Sequence, residues 1–331
     1  MEILISSAFD AHVHLRQGDL MKKVVPMINS GGCGTVYVMP NLSPPITTLM
    51  QAIQYHNDLK AINPTITYLM SYYLTPSITR QDVIKAKSNS VYGIKWYPRG
   101  VTTKSEHGVS DIKECYEILK WMEETDLVLN IHGEVPFDTN VTVLNAEELF
   151  IPILVSLRKD FPNLRIVMEH VTTKALVEAV EFFDDNVVAT ITVHHLDIIV
   201  NDWAGCSLNF CKPVAKTPQD REALWGAIQS KSSKFFLGSD SAPHLRSSKL
   251  NSPANAGIFT SPIVMPYLAH LFDNRDCLEL LENFSSGFGR KFYKLPKETN
   301  KIVLRKEIME IKNNFEVPYF KEGEAIGFSV N

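Results

Sequence analysis

The stretch Asp10-Ala11-His12-Val13-His14-Leu15-Arg16 closes a short apolar run, residues 3–9, that reads as an opening β-strand. Side chains along a strand alternate between faces, so His12 and His14 share one face and Arg16 continues the same phase. Two imidazoles on one face are half of a metal site, and a guanidinium beside them is a planar clamp for a carboxylate. Two surface histidines near a strand end would look the same, because a lone His-x-His is common. The choice rests on whether the rest of the chain supplies further ligands.

Outward from this stretch, short apolar runs rich in β-branched and aromatic residues alternate with longer amphipathic ones. The pattern predicts strands over 3–9, 35–39, 66–73, 91–96, 127–131, 165–168, 187–193 and 235–238. It predicts helices over 20–30, 47–59, 77–87, 112–124, 146–159, 174–183 and 218–229. Thr172-Thr173 and Thr217 are the expected N-caps of the last two helices, and Pro218 suits a first helical position. Strands alternating with helices imply parallel pairing through right-handed crossovers. Eight such strands most simply close into a (β/α)8 TIM barrel. The expected organisation is a single domain over 1–331, with its core at about 3–297 and residues 298–331 as a C-terminal tail packed on the barrel. A doubly wound open sheet is the alternative, but no Gly-x-Gly-x-x-Gly follows the first strand. The tail itself, with runs at 302–305 and 315–319, reads as irregular pieces.

Composition narrows the function. The chain has 331 residues, 45% hydrophobic and 21% charged, as expected of an ordinary folded protein. A formal charge of −4 gives no general attraction to nucleic acid or anionic membrane, so an anionic substrate must be held by local positive groups. No basic stripe with interleaved aromatics suggests a nucleic-acid partner. Five cysteines (Cys33, Cys115, Cys206, Cys211 and Cys277) are scattered and odd in number, which argues against a disulfide scaffold and for a reducing compartment. Cys206 and Cys211 have loose metal-like spacing, but buried thiols are the expected reading because no second Cys or His pair follows closely. Met1-Glu2-Ile3 lacks the basic start of a signal peptide, and Pro26, Gly31-Gly32, Pro40, Pro44 and Pro45 break the charge-free run 24–57. A cytoplasmic protein with no membrane partner is expected.

In a barrel of this kind, chemistry sits at the C-terminal ends of the strands. There the sequence places His12 and His14, then Asn41 after strand two, Lys95 within strand four, His132, His170, and finally Asp240 with His244. One histidine at a strand end is an ordinary structural feature. Six candidate ligands on five strand ends point to a metal site. His194-His195, after strand seven, is expected to pack or hydrogen-bond instead, and His56, His107 and His270 to be structural or exposed. Two close divalent ions need an anionic bridge, which neutral imidazoles cannot provide. A neutral Lys95 amine that captures carbon dioxide becomes a carbamate, in effect a long carboxylate able to span two metals.

This constellation resembles the binuclear amidohydrolase superfamily. The resemblance implies two Zn2+ per chain, bridged by N6-carboxylated Lys95 and a hydroxide. His12, His14 and Asp240 would hold one zinc, and His132 and His170 the other. The match narrows over residues 10 to about 297. His12-Val13-His14-Leu15-Arg16, Met39-Pro40-Asn41, Gly93-Ile94-Lys95-Trp96-Tyr97-Pro98, Asn130-Ile131-His132-Gly133-Glu134, Met168-Glu169-His170 and Gly238-Ser239-Asp240-Ser241-Ala242-Pro243-His244 are similar to the dihydroorotases. Hydantoinases, allantoinases and longer dihydroorotases carry early strands that help build a small β-sandwich. With eleven residues before His12, this chain resembles the short, barrel-only type of bacteria and fungi.

The implied activity is the reversible cyclisation of N-carbamoyl-L-aspartate to L-dihydroorotate, the third step of pyrimidine synthesis, with Asp240 as general acid and base. Arg16, Asn41 and His244 match the positions that hold the substrate's α-carboxylate. Backbone groups around Lys212 and Ala256-Gly257 match those that recognise the ring, although Lys212 stands where bacterial members have an apolar residue. In the short type, a loop placed like 98–108 closes over the substrate, and its threonines, here Thr102 and Thr103, hydrogen-bond it. A homodimer is also implied. A hydantoinase-like activity is the other enzymatic reading, and Arg16 with Asn41 favours a substrate bearing a free carboxylate. A catalytically silent relative is the reading from another class, but such relatives typically lose ligands that this chain retains.

Overall fold

The computed structural model describes residues 1–331 apart from 103, 104, 106, 107, 313 and 315. The expected opening strand is in fact two, β1 (Glu2–Ser6) and β2 (Ala8–Val13), which enter different sheets. From β2 the chain runs through β3 (Cys33–Val38), β4 (Thr67–Tyr73), β5 (Val91–Trp96) and β6 (Val128–His132). It continues through β7 (Ile166–Glu169), β8 (Val187–Ile191) and β9 (Phe235–Leu237). These eight strands lie in sequential order and every neighbouring pair is parallel. The segment after β9 returns beside β2, where Val13 bridges Ser241 and the His14 amide donates to the Ser241 carbonyl at 2.9 Å. Asp10 staples the same seam, accepting from the Ser239 amide at 2.8 Å and its hydroxyl at 2.5 Å. The fold is the expected TIM barrel.

Both faces of a barrel strand are covered, one by the interior and one by helices, so its residues need not alternate in polarity. β2, β6, β7, β8 and β9 are accordingly buried from end to end. Thr173 caps the helix Lys174–Phe182, and Thr217 with Asp220 forms a capping box on Pro218–Gln229, as expected. The helix expected over 20–30 is divided into Gly18–Val24 and Met27–Ser30. Pro26 lies at the break, having no amide hydrogen to continue the ladder.

The tail departs from its expected irregularity. β10 (Lys301–Glu310) and β11 (Ala325–Val330) join β1 in an antiparallel sheet of order β1-β10-β11. The sheet packs on the helix Val264–Asp273, where the Gly327 amide donates to His270 Nδ1 at 3.3 Å and Lys306 Nζ to the Asp273 carboxylate at 2.7 Å. Leu304, Ile326 and Phe328 are buried while Leu4 and Ile308 are exposed. With only one face covered, few positions had to be apolar, and the strand signal in residues 301–310 is weak. No helix among the described residues is long and apolar enough to cross a membrane.

Candidate active site

The site forms where the strand ends converge. His12 lies in β2 and His14 just past it, and both turn Nε2 toward Asp240 Oδ1, at 3.4 and 3.0 Å. These three side chains offer ligand atoms within 4.8 Å of one another. His170 stacks its ring centroid 5.0 Å from His12 and 4.7 Å from His132. The imidazoles of three strands therefore meet above the barrel axis.

Three of these histidines, His12, His14 and His132, are aimed by a partner on one ring nitrogen. His12 Nδ1 faces Glu169 Oε2 at 2.8 Å, His14 Nδ1 faces Asn41 Oδ1 at 2.8 Å, and His132 Nε2 faces Glu134 Oε2 at 2.7 Å. A carboxylate or amide oxygen only accepts, so each of these nitrogens carries the proton and the opposite nitrogen presents its lone pair to the site. Glu169 is held in turn by Asn130 Nδ2 and the Thr190 hydroxyl, each at 2.7 Å, and the Tyr37 hydroxyl donates to Asn130 Oδ1 at 2.8 Å. Gly93, two residues before Lys95 on the same face of β5, leaves room for this network. A Cβ there would lie 2.4 Å from the Val128 carbonyl and 2.5 Å from the Tyr37 hydroxyl.

Among the candidate ligands, the buried Lys95 Nζ and His170 Nδ1 have no hydrogen-bond partner among the described residues. Orphaned polar atoms of this kind are uncommon inside proteins and call for a ligand. Burial lowers the Lys95 amine to about 8, against the opposing pull of Glu169 and Asp240, so the neutral form needed for carbamate formation is accessible. Burial likewise keeps His14 at about 4 and His170 well below its ordinary value, which leaves neutral imidazoles, the ligating form. Asp240 remains below the usual carboxylate range, because the His14 hydrogen bond and nearby imidazoles outweigh its burial. The residues present therefore fit a pair of divalent cations.

One cavity is lined by His12, His14, Arg16, Asn41, Thr102, His132, His170, Lys212, Asp240, His244 and Ala256, together with Tyr97, Ala242 and Gly257. It thus gathers the expected ligands and substrate contacts, apart from Lys95, which lies in buried β5, and Thr103, which falls outside the described residues. Arg16 arrives by a route that strand alternation does not describe. Its backbone is left-handed, at φ 62°, as are His170 at 43° and Asp240 at 47°. Each costs about 1–2 kcal/mol for a residue with a Cβ, and such conformations concentrate at functional sites. Arg16 Nε donates to the Pro243 carbonyl at 2.8 Å, while its terminal nitrogen stands 3.1 Å from His244 Nε2. His244 Nε2 also faces the Ala256 carbonyl at 2.9 Å, which accepts any proton on that nitrogen. Arg16 and His244 thus lie side by side in the cavity wall, with the guanidinium as the donor of the pair. Asn41, expected only as a substrate contact, also aims His14.

Glu169, Glu134, Asp10 and Tyr97 were not singled out from sequence. A signal existed for two of them, since Glu169 is an acid ending the apolar strand Ile166–Glu169 and Glu134 follows His132 by two. Asp10 and Tyr97 carried none that separates them from core residues. The amidohydrolase family model matches residues 3–302. This chain belongs to the amidohydrolase family. It is 46% identical to the Schizosaccharomyces pombe protein named "Probable dihydroorotase", over 100% of this chain and 97% of that one. Its structure matches that of Saccharomyces cerevisiae dihydroorotase in complex with 5-fluoroorotic acid with TM-score 0.95 and 40% identity, covering 100% and 98% of the two chains. Campylobacter jejuni dihydroorotase matches with TM-score 0.91 and 33% identity, covering 100% and 97%. The dihydroorotase resemblance read from the motifs is borne out.

Proposed function

We propose that this chain is a zinc-dependent dihydroorotase that interconverts N-carbamoyl-L-aspartate and L-dihydroorotate, the third step of pyrimidine synthesis. The observation that carries the reading is the shared cavity, in which Arg16, Asn41 and His244 stand beside the candidate ligands His12, His14, His132, His170 and Asp240. A site for an uncharged cyclic amide needs no cluster of buried donors, whereas a substrate with a free carboxylate does.

Two zinc ions would be held by His12, His14 and Asp240 and by His132 and His170, with carboxylated Lys95 between them. When bound, they supply Lewis acidity that polarises an amide carbonyl and makes water nucleophilic near neutral pH. The protein's own groups do the rest. Arg16 donates to the α-carboxylate and, with His244 beside it, fixes the ring's orientation, and Asn41 adds its amide nitrogen while its oxygen keeps His14 in place. In ring opening, Asp240 takes the proton of the attacking water and delivers it to the departing amide nitrogen. Ring closure reverses both transfers. Thr102, and Thr103 with it, would close the cavity over the substrate and exclude bulk water. A homodimer in the cytoplasm is part of the same proposal, and light scattering tests the assembly.

The deciding experiment is a spectrophotometric assay on dihydroorotate and on hydantoin, run with zinc analysis of the same preparation. Turnover of dihydroorotate with zinc bound is expected. Activity on hydantoin alone, or less than one zinc per chain, overturns the proposal.

A further inference from the structure

We infer that His194, His195 and Cys211 form a third metal site, taking a single ion of the zinc class, separate from the paired site at the strand ends. The turn His194–Leu196 follows β8, and Cys211 lies 16 residues beyond His195 in the chain. All three residues are buried, and one ligand atom from each lies within 4.8 Å of the other two.

The pairwise geometry suits a metal. Bond lengths of about 2.3 Å to sulfur and 2.0–2.1 Å to nitrogen, at a tetrahedral angle, place the two donors about 3.6 Å apart. His195 Nε2 and Cys211 Sγ are 3.6 Å apart. Both also face the Pro213 carbonyl, at 3.1 and 3.2 Å, so one oxygen receives two donors in the absence of an ion. That carbonyl or a water would complete a four-fold set.

A second observation points to a ligand independently. Neither ring nitrogen of His194, and not His195 Nδ1 either, has a hydrogen-bond partner among the described residues. The His194 ring is wholly buried, 4.4 Å from His195 and 6.2 Å from Phe320. A neutral imidazole always carries one N–H and one lone pair, and packing against rings satisfies neither. Ligation through His195 Nε2 moves its proton to Nδ1 and gives up the hydrogen bond to the Pro213 carbonyl, which is then free to face the ion or a water bound to it. Binding also releases the Cys211 thiol proton to solvent, one proton per ion, and the cation stabilises the thiolate that burial alone disfavours. Two imidazoles with a thiolate are the donor set of borderline-soft ions, not of Mg2+ or Ca2+. Lys212, adjacent to Cys211, lines the catalytic cavity, so the ion would pin that wall to the end of β8.

The test uses cobalt, because no sulfur belongs to the paired site. The metal-free full chain is reloaded with Co2+, and its near-ultraviolet spectrum is recorded against bound cobalt. A third equivalent that brings in a thiolate-to-cobalt charge-transfer band is expected, and Cys211→Ser should lose the band and that equivalent while retaining the other two. His194→Gln should weaken the third equivalent at least tenfold. A wild-type chain that saturates at two equivalents with no thiolate band overturns the inference, as does a band that persists in Cys211→Ser.

Discussion

Replacing Glu169 with Gln should show how much of the site's metal affinity comes from residues that never touch the metal. Glu169 Oε2 receives His12 Nδ1–H at 2.8 Å and the Thr190 hydroxyl at 2.7 Å, while Oε1 receives Asn130 Nδ2 at 2.7 Å. A carboxylate accepts at both oxygens, but an amide has one oxygen and one NH2. If the NH2 takes the Oε2 position it confronts His12 Nδ1–H, and His12 must shift its proton to Nε2, the nitrogen that faces Asp240. If it takes the Oε1 position it confronts Asn130, whose own oxygen is already committed to the Tyr37 hydroxyl. Either orientation leaves a buried donor opposed, at a cost of about 1–3 kcal/mol. Loss of an orienting carboxylate typically weakens a metal site by about 10–100-fold, or roughly 1.4–2.8 kcal/mol. Glu169→Gln should therefore weaken zinc in chelator competition by that factor, lower Tm by a few degrees and reduce turnover at limiting zinc. Unchanged zinc affinity together with an unchanged Tm would refute the assignment of Glu169 as the residue that sets the His12 tautomer.

Lys95→Ala should lose activity and tightly bound metal together, with partial recovery on adding a short carboxylic acid; full activity without such an acid would sink the carbamate bridge. Thr102→Ala should cut kcat at least tenfold while zinc content stays at the wild-type level, so near-wild-type kinetics would remove Thr102 from the lid. Arg16→Lys should raise KM about tenfold or more, because an ammonium lacks the fork that reaches both Pro243 and a ligand; a KM within twofold of wild type would argue against carboxylate binding there. Gly93→Ala should destabilise the fold by about 1–3 kcal/mol as its methyl meets the Val128 carbonyl and the Tyr37–Asn130 pair, a change readable in denaturant melts.

The alternation of apolar runs made the barrel legible from sequence alone, and the placement of His12, His14, Lys95, His132, His170 and Asp240 on the strands marked them as candidate ligands. Both depend on local rules, the period of a strand and the residue types a metal accepts, and local rules survive in a linear string. Three features needed the folded chain. The small sheet of β1, β10 and β11 joins residues about 300 positions apart and is covered on one face only, so neither of its ends carries a strong pattern by itself. The partners that aim the histidines, Glu169 on His12 and Asn41 on His14, are set by which strand neighbours which, information that only closure of the barrel supplies. His194, His195 and Cys211 looked like a packing pair and an isolated thiol for the same reason. Only the folding back of the chain over the 16 positions separating His195 from Cys211 brings the sulfur within 3.6 Å of the ring and leaves the buried nitrogens without partners. Arg16 lies between the two cases: its charge and its place beside His14 could be read from the letters, but the left-handed turn that brings it to His244 is a property of the tertiary structure.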